Sequence, residues 1–239
     1  MEIQSNKILK KQSLHEELLK YGNIQVKEVL INNEELSKEL KDAVITTYIQ
    51  GRKKIKIEHP LVIGELGLLP NSFYNKQLIN KKQLLKDFEQ SGEYESYLYV
   101  IERPFRIWFF VKLMSQNKIE KLSKQYWKIL SSLWTDSENI FQNKELWKDL
   151  MKDKTNSHYF MTDDDLNTFN SLDDSFIVYR GYTHWADGYS YTLDKDIAIW
   201  FSERYGGKGK VIEKVVRKDD VFALTNSRKE KEIILLPPY

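Results

Sequence analysis

The hydrophobic period changes once along this 239-residue chain, and that change constrains the fold more than any other feature. Up to about residue 160, apolar residues recur at three- and four-residue spacings, as in helices that pack by one face. Beyond it they fall in short runs: Phe176–Tyr179, Tyr189–Leu193, Lys210–Val216, Asp220–Leu224 and Glu232–Leu236. Such runs, bounded by turn residues, read as strands. One helical stretch, Asp194–Tyr205, interrupts them and breaks at Gly206-Gly207-Lys208-Gly209. The order predicts an α+β chain, with a helical region (1–160) packed on a strand-rich part (161–239). No Pro/Gly/Ser linker separates the two, so they are expected to form one compact body.

Within the first part, residues 7–21 predict a helix stopped by Gly22, whose freedom at positive φ suits a helix end. Residues 33–50 predict another, running from Asn32 to Gly51, with Leu36, Leu40, Ala43, Val44 and Thr47 on one face. Further helices are expected near 75–90, 105–116, 120–134 and 144–152. A short one begins at Thr162, with Asp165 as its capping partner.

Composition removes several function classes. With no cysteine, the chain has no disulfide scaffold, no thiolate metal site and no thiol nucleophile. The four histidines, His15, His59, His158 and His184, form no close pair, so no metal is expected. The most apolar stretch, 97–114, carries Glu102, Arg103, Arg106 and Lys112, which argues against a membrane span. The N-terminus lacks an uncharged apolar core of signal-peptide length, and a cytoplasmic protein is expected. Residues 1–160 hold 26 basic and 21 acidic side chains, a net of +5, and 161–239 hold 11 and 14, a net of −3. The basic cluster Arg52-Lys53-Lys54-Ile55-Lys56 could meet phosphate, although a plain exposed turn is the favoured reading.

Three elements on or beside predicted strands stand out: Tyr179-Arg180-Gly181, Ser190-Tyr191-Thr192 and Glu230-Lys231-Glu232. Singly each has a bland explanation, such as a surface ion pair, one polar strand face or a solvated charge run. In this order they resemble the mono-ADP-ribosyltransferases of the Arg–Ser–Glu, cholera-toxin-like type. The segment SYTLDKDIAIWFSERYG is similar to the middle motif of compact bacterial and phage-encoded members. The resemblance covers about residues 175–239 and implies an ADP-ribosyltransferase-like fold with a mixed β-sheet.

The resemblance implies an enzyme that uses NAD as substrate. Glu232 would be the catalytic glutamate, bonded to the ribose whose bond to nicotinamide breaks. Arg180 would anchor NAD, Gly181 would expose backbone groups to the nicotinamide amide, and Ser190 would orient Glu232. Thr192 would support the strand. Glu230 would deprotonate the acceptor, and Arg228, at the tip of the preceding loop, would bind it. Residues i and i+2 of a strand share a face, so both carboxylates could enter one cleft. Tyr182, Trp185 and Tyr205 are candidates to stack on nicotinamide. Tyr191 replaces the commoner Thr of the family's Ser-Thr-Ser and is expected to pack on the opposite face. The acceptor would be a protein arginine or RNA, and relatives of this kind include phage effectors and toxins held by an antitoxin. Rival readings are an inactive or nucleic-acid-binding version of the fold and, last, a two-carboxylate glycosidase.

Overall fold

The computed structural model describes residues 34–49, 51–137, 140–183, 188–204, 206 and 208–236. The helix expected over 7–21 lies outside them. The chain divides into two compact units, Met1–Phe105 and Arg106–Tyr239. The compositional step near residue 160 therefore falls inside the second unit.

In the first unit, helix α1 (Lys38–Asp42) is capped by the Ser37 hydroxyl, which accepts from the Leu40 N–H. It stops after little more than a turn. Strands β1 (Val44–Ile49), β2 (Arg52–His59) and β3 (Val62–Glu65) follow as an antiparallel meander. This corrects the single helix expected over 33–50. The run Val44-Ile45-Thr46-Thr47-Tyr48-Ile49 is β-branched or aromatic throughout, and such side chains fit a pleated strand better than a helix turn. Helix α2 (Asn71–Ser91) ends at Gly92, which takes φ +76° as a left-handed stop. Helix α3 (Tyr94–Val100) follows. Leu40, Ile57, Val62, Tyr74, Leu78, Leu98 and Ile101 form this unit's buried set.

The second unit begins with helices α4 (Arg106–Ser115), α5 (Lys124–Asp136), α6 (Lys144–Met151) and α7 (Asp163–Asn170), close to the expected positions. Helix α5 buries Tyr126, Trp127, Leu130 and Trp134. Buried aromatics satisfy their polar tips. Tyr126 donates to the Leu150 carbonyl at 2.6 Å, and Trp127 Nε1 donates to the Thr155 carbonyl at 2.8 Å. As expected, Thr162 caps α7 by accepting from the Asp165 N–H.

Strands β4 (Ser175–Tyr182), β5 (Ser190–Thr192), β6 (Lys210–Arg217), β7 (Val221–Thr225) and β8 (Glu232–Leu235) form one sheet in the order β6-β4-β5-β8-β7, with helix α8 (Lys195–Glu203) between β5 and β6. Every pairing is antiparallel, which corrects the mixed sheet expected. Both β5 and β6 oppose β4 and so run the same way, but β4 lies between them and no parallel pair forms. Only Lys218–Asp220 separates the edge strands β6 and β7. Four chain steps span at most about 14 Å, whereas five flat strands would be about 19 Å across. The sheet must therefore curl its edges toward each other. Val178, Tyr191, Val216, Leu224, Ile233 and Leu235 form its core, with Met161, Phe169 and Leu172 packed against them. Tyr191 packs as expected.

Candidate active site

The strand register places the motif residues. Tyr179 pairs with Thr192, and Thr192 pairs with Glu232, so these three form one row across β4, β5 and β8. Alternation puts Gly181 and Ser190 on that same face. The face lies beneath α8, and Gly181 is where the helix comes closest. A Cβ there would sit 1.8 Å from the Ala198 carbonyl oxygen. A cleft of about 220 Å³ opens here, lined by Tyr179, Arg180, Gly181, Ser190, Thr192, Ala198, Phe201, Glu230 and Glu232 among others. All the motif residues except Lys231 line it, and Arg228 does not.

Glu232 is 3% exposed. A buried carboxylate needs partners, and two donors meet it. Trp134 Nε1 donates to Oε1 at 3.1 Å, and Arg228 Nη2 donates to Oε2 at 3.2 Å. Sequence reasoning gave the orienting task to Ser190 and did not bring Trp134 to the site. The clue to Trp134 was chemical: a fully buried indole N–H must find an acceptor. Trp134→Phe should leave Oε1 short of a donor and lower stability by about 1–3 kcal/mol. Urea unfolding monitored by circular dichroism checks this, and an unchanged midpoint would contradict it.

Glu230 reaches the cleft by a different route from the one expected. It precedes β8, and Lys231 between the carboxylates takes φ +45°. The two acids therefore meet through a left-handed kink, not through strand alternation. Lys229 is also left-handed, at φ +59°, an uncommon conformation for a side chain without local support. Asn226 supplies that support. Its carbonyl accepts from the Lys229 N–H at 2.8 Å, and its side-chain oxygen accepts from the Lys231 N–H at 3.1 Å. Its own N–H donates to buried Asp165 at 3.0 Å. Thr192 adds a further tie, donating to the Glu230 carbonyl at 2.6 Å.

Arg228 sits over both acids, with Nε 3.4 Å from Glu230 and Nη2 3.2 Å from Glu232. It was expected to bind an acceptor, and here it clamps the carboxylate pair. Burial pushes the Glu230 carboxyl above its ordinary value; Arg228 draws it back, the Glu232 charge adds to the rise and Arg204 opposes it.

Arg180, expected to anchor NAD beside Glu232, instead alternates to the opposite face of the sheet from Glu232, and its guanidinium lies against the start of β5. Nη1 donates to the Ser190 carbonyl at 2.7 Å. Gly188 lies flat against it, since a Cβ there would be 2.2 Å from Nη2. These contacts brace the strand that carries Ser190 and Thr192. Of the three aromatic candidates, Tyr182 closes β4 opposite Lys210, and Trp185 and Tyr205 lie outside the described residues.

A larger cavity of about 710 Å³ lies against α4 and α6, lined by Val111, Met114, Ile119, Leu146 and Leu150 among others. It is mainly apolar and contains none of the motif residues. Among the described residues no group of three or more acidic or histidine side chains could hold a metal ion, and no helix is long and apolar enough to cross a membrane. No model of a known protein family, no characterised protein and no solved structure matches this chain.

Proposed function

We propose that the second unit is an NAD-dependent mono-ADP-ribosyltransferase that acts on a macromolecule, a protein arginine or RNA. The carrying observation is the pair Glu230 and Glu232 in one cleft, held in different electrostatic settings. One acid buried on two fixed donors, and one more exposed with a raised proton affinity, suit two separate tasks.

In this reaction the bond between ribose C1′ and nicotinamide breaks, and nicotinamide leaves with the bonding electrons. C1′ then bonds to the acceptor, which loses a proton. Glu232 places negative charge beside the ribose as positive charge develops there. Trp134 fixes that carboxylate, so little reorganisation is needed. Glu230, more exposed and with a raised proton affinity, takes the acceptor proton. Arg228 gives up its two carboxylates when substrates bind. Gly181 and Ser190 present backbone and hydroxyl groups on the same face, and Arg180 keeps β5 in place for them. The cleft is below the volume usual for a whole ligand, so it seats the reacting end of NAD.

A second reading has one observation behind it. Glu232 is already satisfied by Trp134 and Arg228, as a purely structural carboxylate would be. Labelled NAD separates the two. The enzyme releases nicotinamide and labels a macromolecule in a cell extract, and protease or nuclease sensitivity identifies the acceptor. Absence of nicotinamide release would leave only the structural role.

The Glu230 setting also predicts a pH profile. The base must be ionised, so the acidic limb of the transfer rate should lie above the ordinary carboxylate value of 4.5, and Glu230→Gln should remove that limb. Stability follows the same group with a definite sign. Its folded pKa is raised, so its contribution is fully present below 4.5 and is lost as pH rises through the folded value. A limb at the ordinary value in transfer assays would contradict the assignment.

A further inference from the structure

The first unit carries a feature that the proposed reaction does not use. Strands β1 and β2 pair up to Ile49 opposite Arg52, and Gly51, just before β2, takes φ +76° with open space around it. The third strand, β3, pairs only with Lys56–His59. Among the described residues, the outer part, Thr47–Ile49 opposite Arg52–Lys54, is therefore a two-stranded ribbon with no third strand beside it. Such a ribbon is marginal alone in water, yet it spends apolar side chains on solvent. Tyr48 is 72% exposed, and Ile49 and Ile55 are exposed as well.

The charge around these side chains is one-sided. From Ala43 to Ile57 the chain has four cations and no carboxylate. Lys54 is paired with Glu65 at 2.7 Å. Among the described residues, no carboxylate lies within ion-pair distance of Arg52, Lys53 or Lys56, although Glu65 stands opposite Lys56 in the strand register. The register interleaves the two kinds of side chain. Tyr48 stands directly opposite Lys53, and Ile49 stands opposite Arg52. Alternation places Arg52 and Lys56 on one face and Lys53 with Tyr48 on the other. A flat ring beside a cation and an excess of positive charge, with Glu65 the carboxylate bonded to Lys54, match a partner that is itself a polyanion with exposed rings.

We propose that the β1–β2 ribbon docks single-stranded nucleic acid, with phosphates on Arg52, Lys53 and Lys56 and a base stacked on Tyr48. A single strand fits better than a duplex because a paired base offers no free face to the ring. The site stands apart from the transferase reading, and its test does not involve NAD.

The test is fluorescence anisotropy of a labelled oligouridylate with the full chain across a salt series. Three phosphate contacts should give a slope of about −2 in log affinity against log salt, roughly 0.7 per phosphate for single strands. Replacing Arg52, Lys53 and Lys56 together by Gln should flatten that slope. Tyr48→Ala should lower affinity about tenfold with the slope retained, as loss of one stacked base does. Tyr48, Arg52 and Lys53 are exposed and Lys56 is half-buried, and circular dichroism verifies that the variants fold. No binding at low salt, or equal binding by wild type and triple variant, overturns the proposal. So does capture by anionic phosphatidylserine vesicles with no affinity for the oligonucleotide, since the ribbon would then be a membrane-surface device.

Discussion

Glu232→Gln is expected to abolish both transfer to an acceptor and hydrolysis of NAD. The substitution keeps size but removes the charge opposite the developing ribosyl cation. Losing one well-placed electrostatic contact costs about 3–4 kcal/mol, a rate factor on the order of a hundred to a thousand. Glu230→Gln should behave differently, because the acid prepares the acceptor. Transfer should fall by roughly a hundred- to ten-thousand-fold, with most of the nicotinamide release retained. Parallel loss of both activities in the two variants would refute the division of labour. The structure adds a control. Glu232 accepts from two N–H donors, Trp134 and Arg228, and a Gln would turn an amide N–H toward one of them. Glu232→Gln should therefore also lose about 1–3 kcal/mol of stability. Activity must be compared at a temperature where both proteins are folded.

Gly181→Ala is expected to be the most damaging small substitution in the second unit. The new Cβ would fall 1.8 Å from the Ala198 carbonyl oxygen and 2.7 Å from the Ser202 nitrogen, both backbone atoms of α8. Side chains can swing away, but a helix backbone can only move as a body. Overpacking of this kind costs roughly 1–3 kcal/mol, and more where nothing yields. Thermal unfolding should show a midpoint lower by several degrees, and nicotinamide release should drop with it, because α8 covers the cleft. An unchanged midpoint would mean that α8 does not pack as described.

The elements of the second unit were legible in the sequence because their signals were local. Thr162 with Asp165 marks a cap, Gly206 a break, and Tyr191 an inward alternation. The strand order was not legible, because a helix crossing of a given length does not reveal which strand it returns beside. The helix expected over 33–50 failed where an apolar face of the right period coincided with a β-branched run, and the chain followed side-chain shape. Within the site, the spacing of Ser190, Thr192, Glu230 and Glu232 brought the right residues forward. It could not reveal Trp134, which lies 98 residues from Glu232, nor Asp165, whose capping position hid its second task of holding Asn226. Both act through folds of the chain that no window of sequence contains.

The bond between Trp134 and Glu232 has a bearing on how the protein is made. Synthesis delivers helix α5 long before strand β8, and contacts between such distant segments form late and slowly. A ribosome-bound chain that has not yet released β8 has the helical layer but neither acid of the pair. It cannot perform the chemistry proposed here, however well its earlier helices have formed. Under the proposed chemistry, a fragment from translation stalled before residue 230 would be inactive.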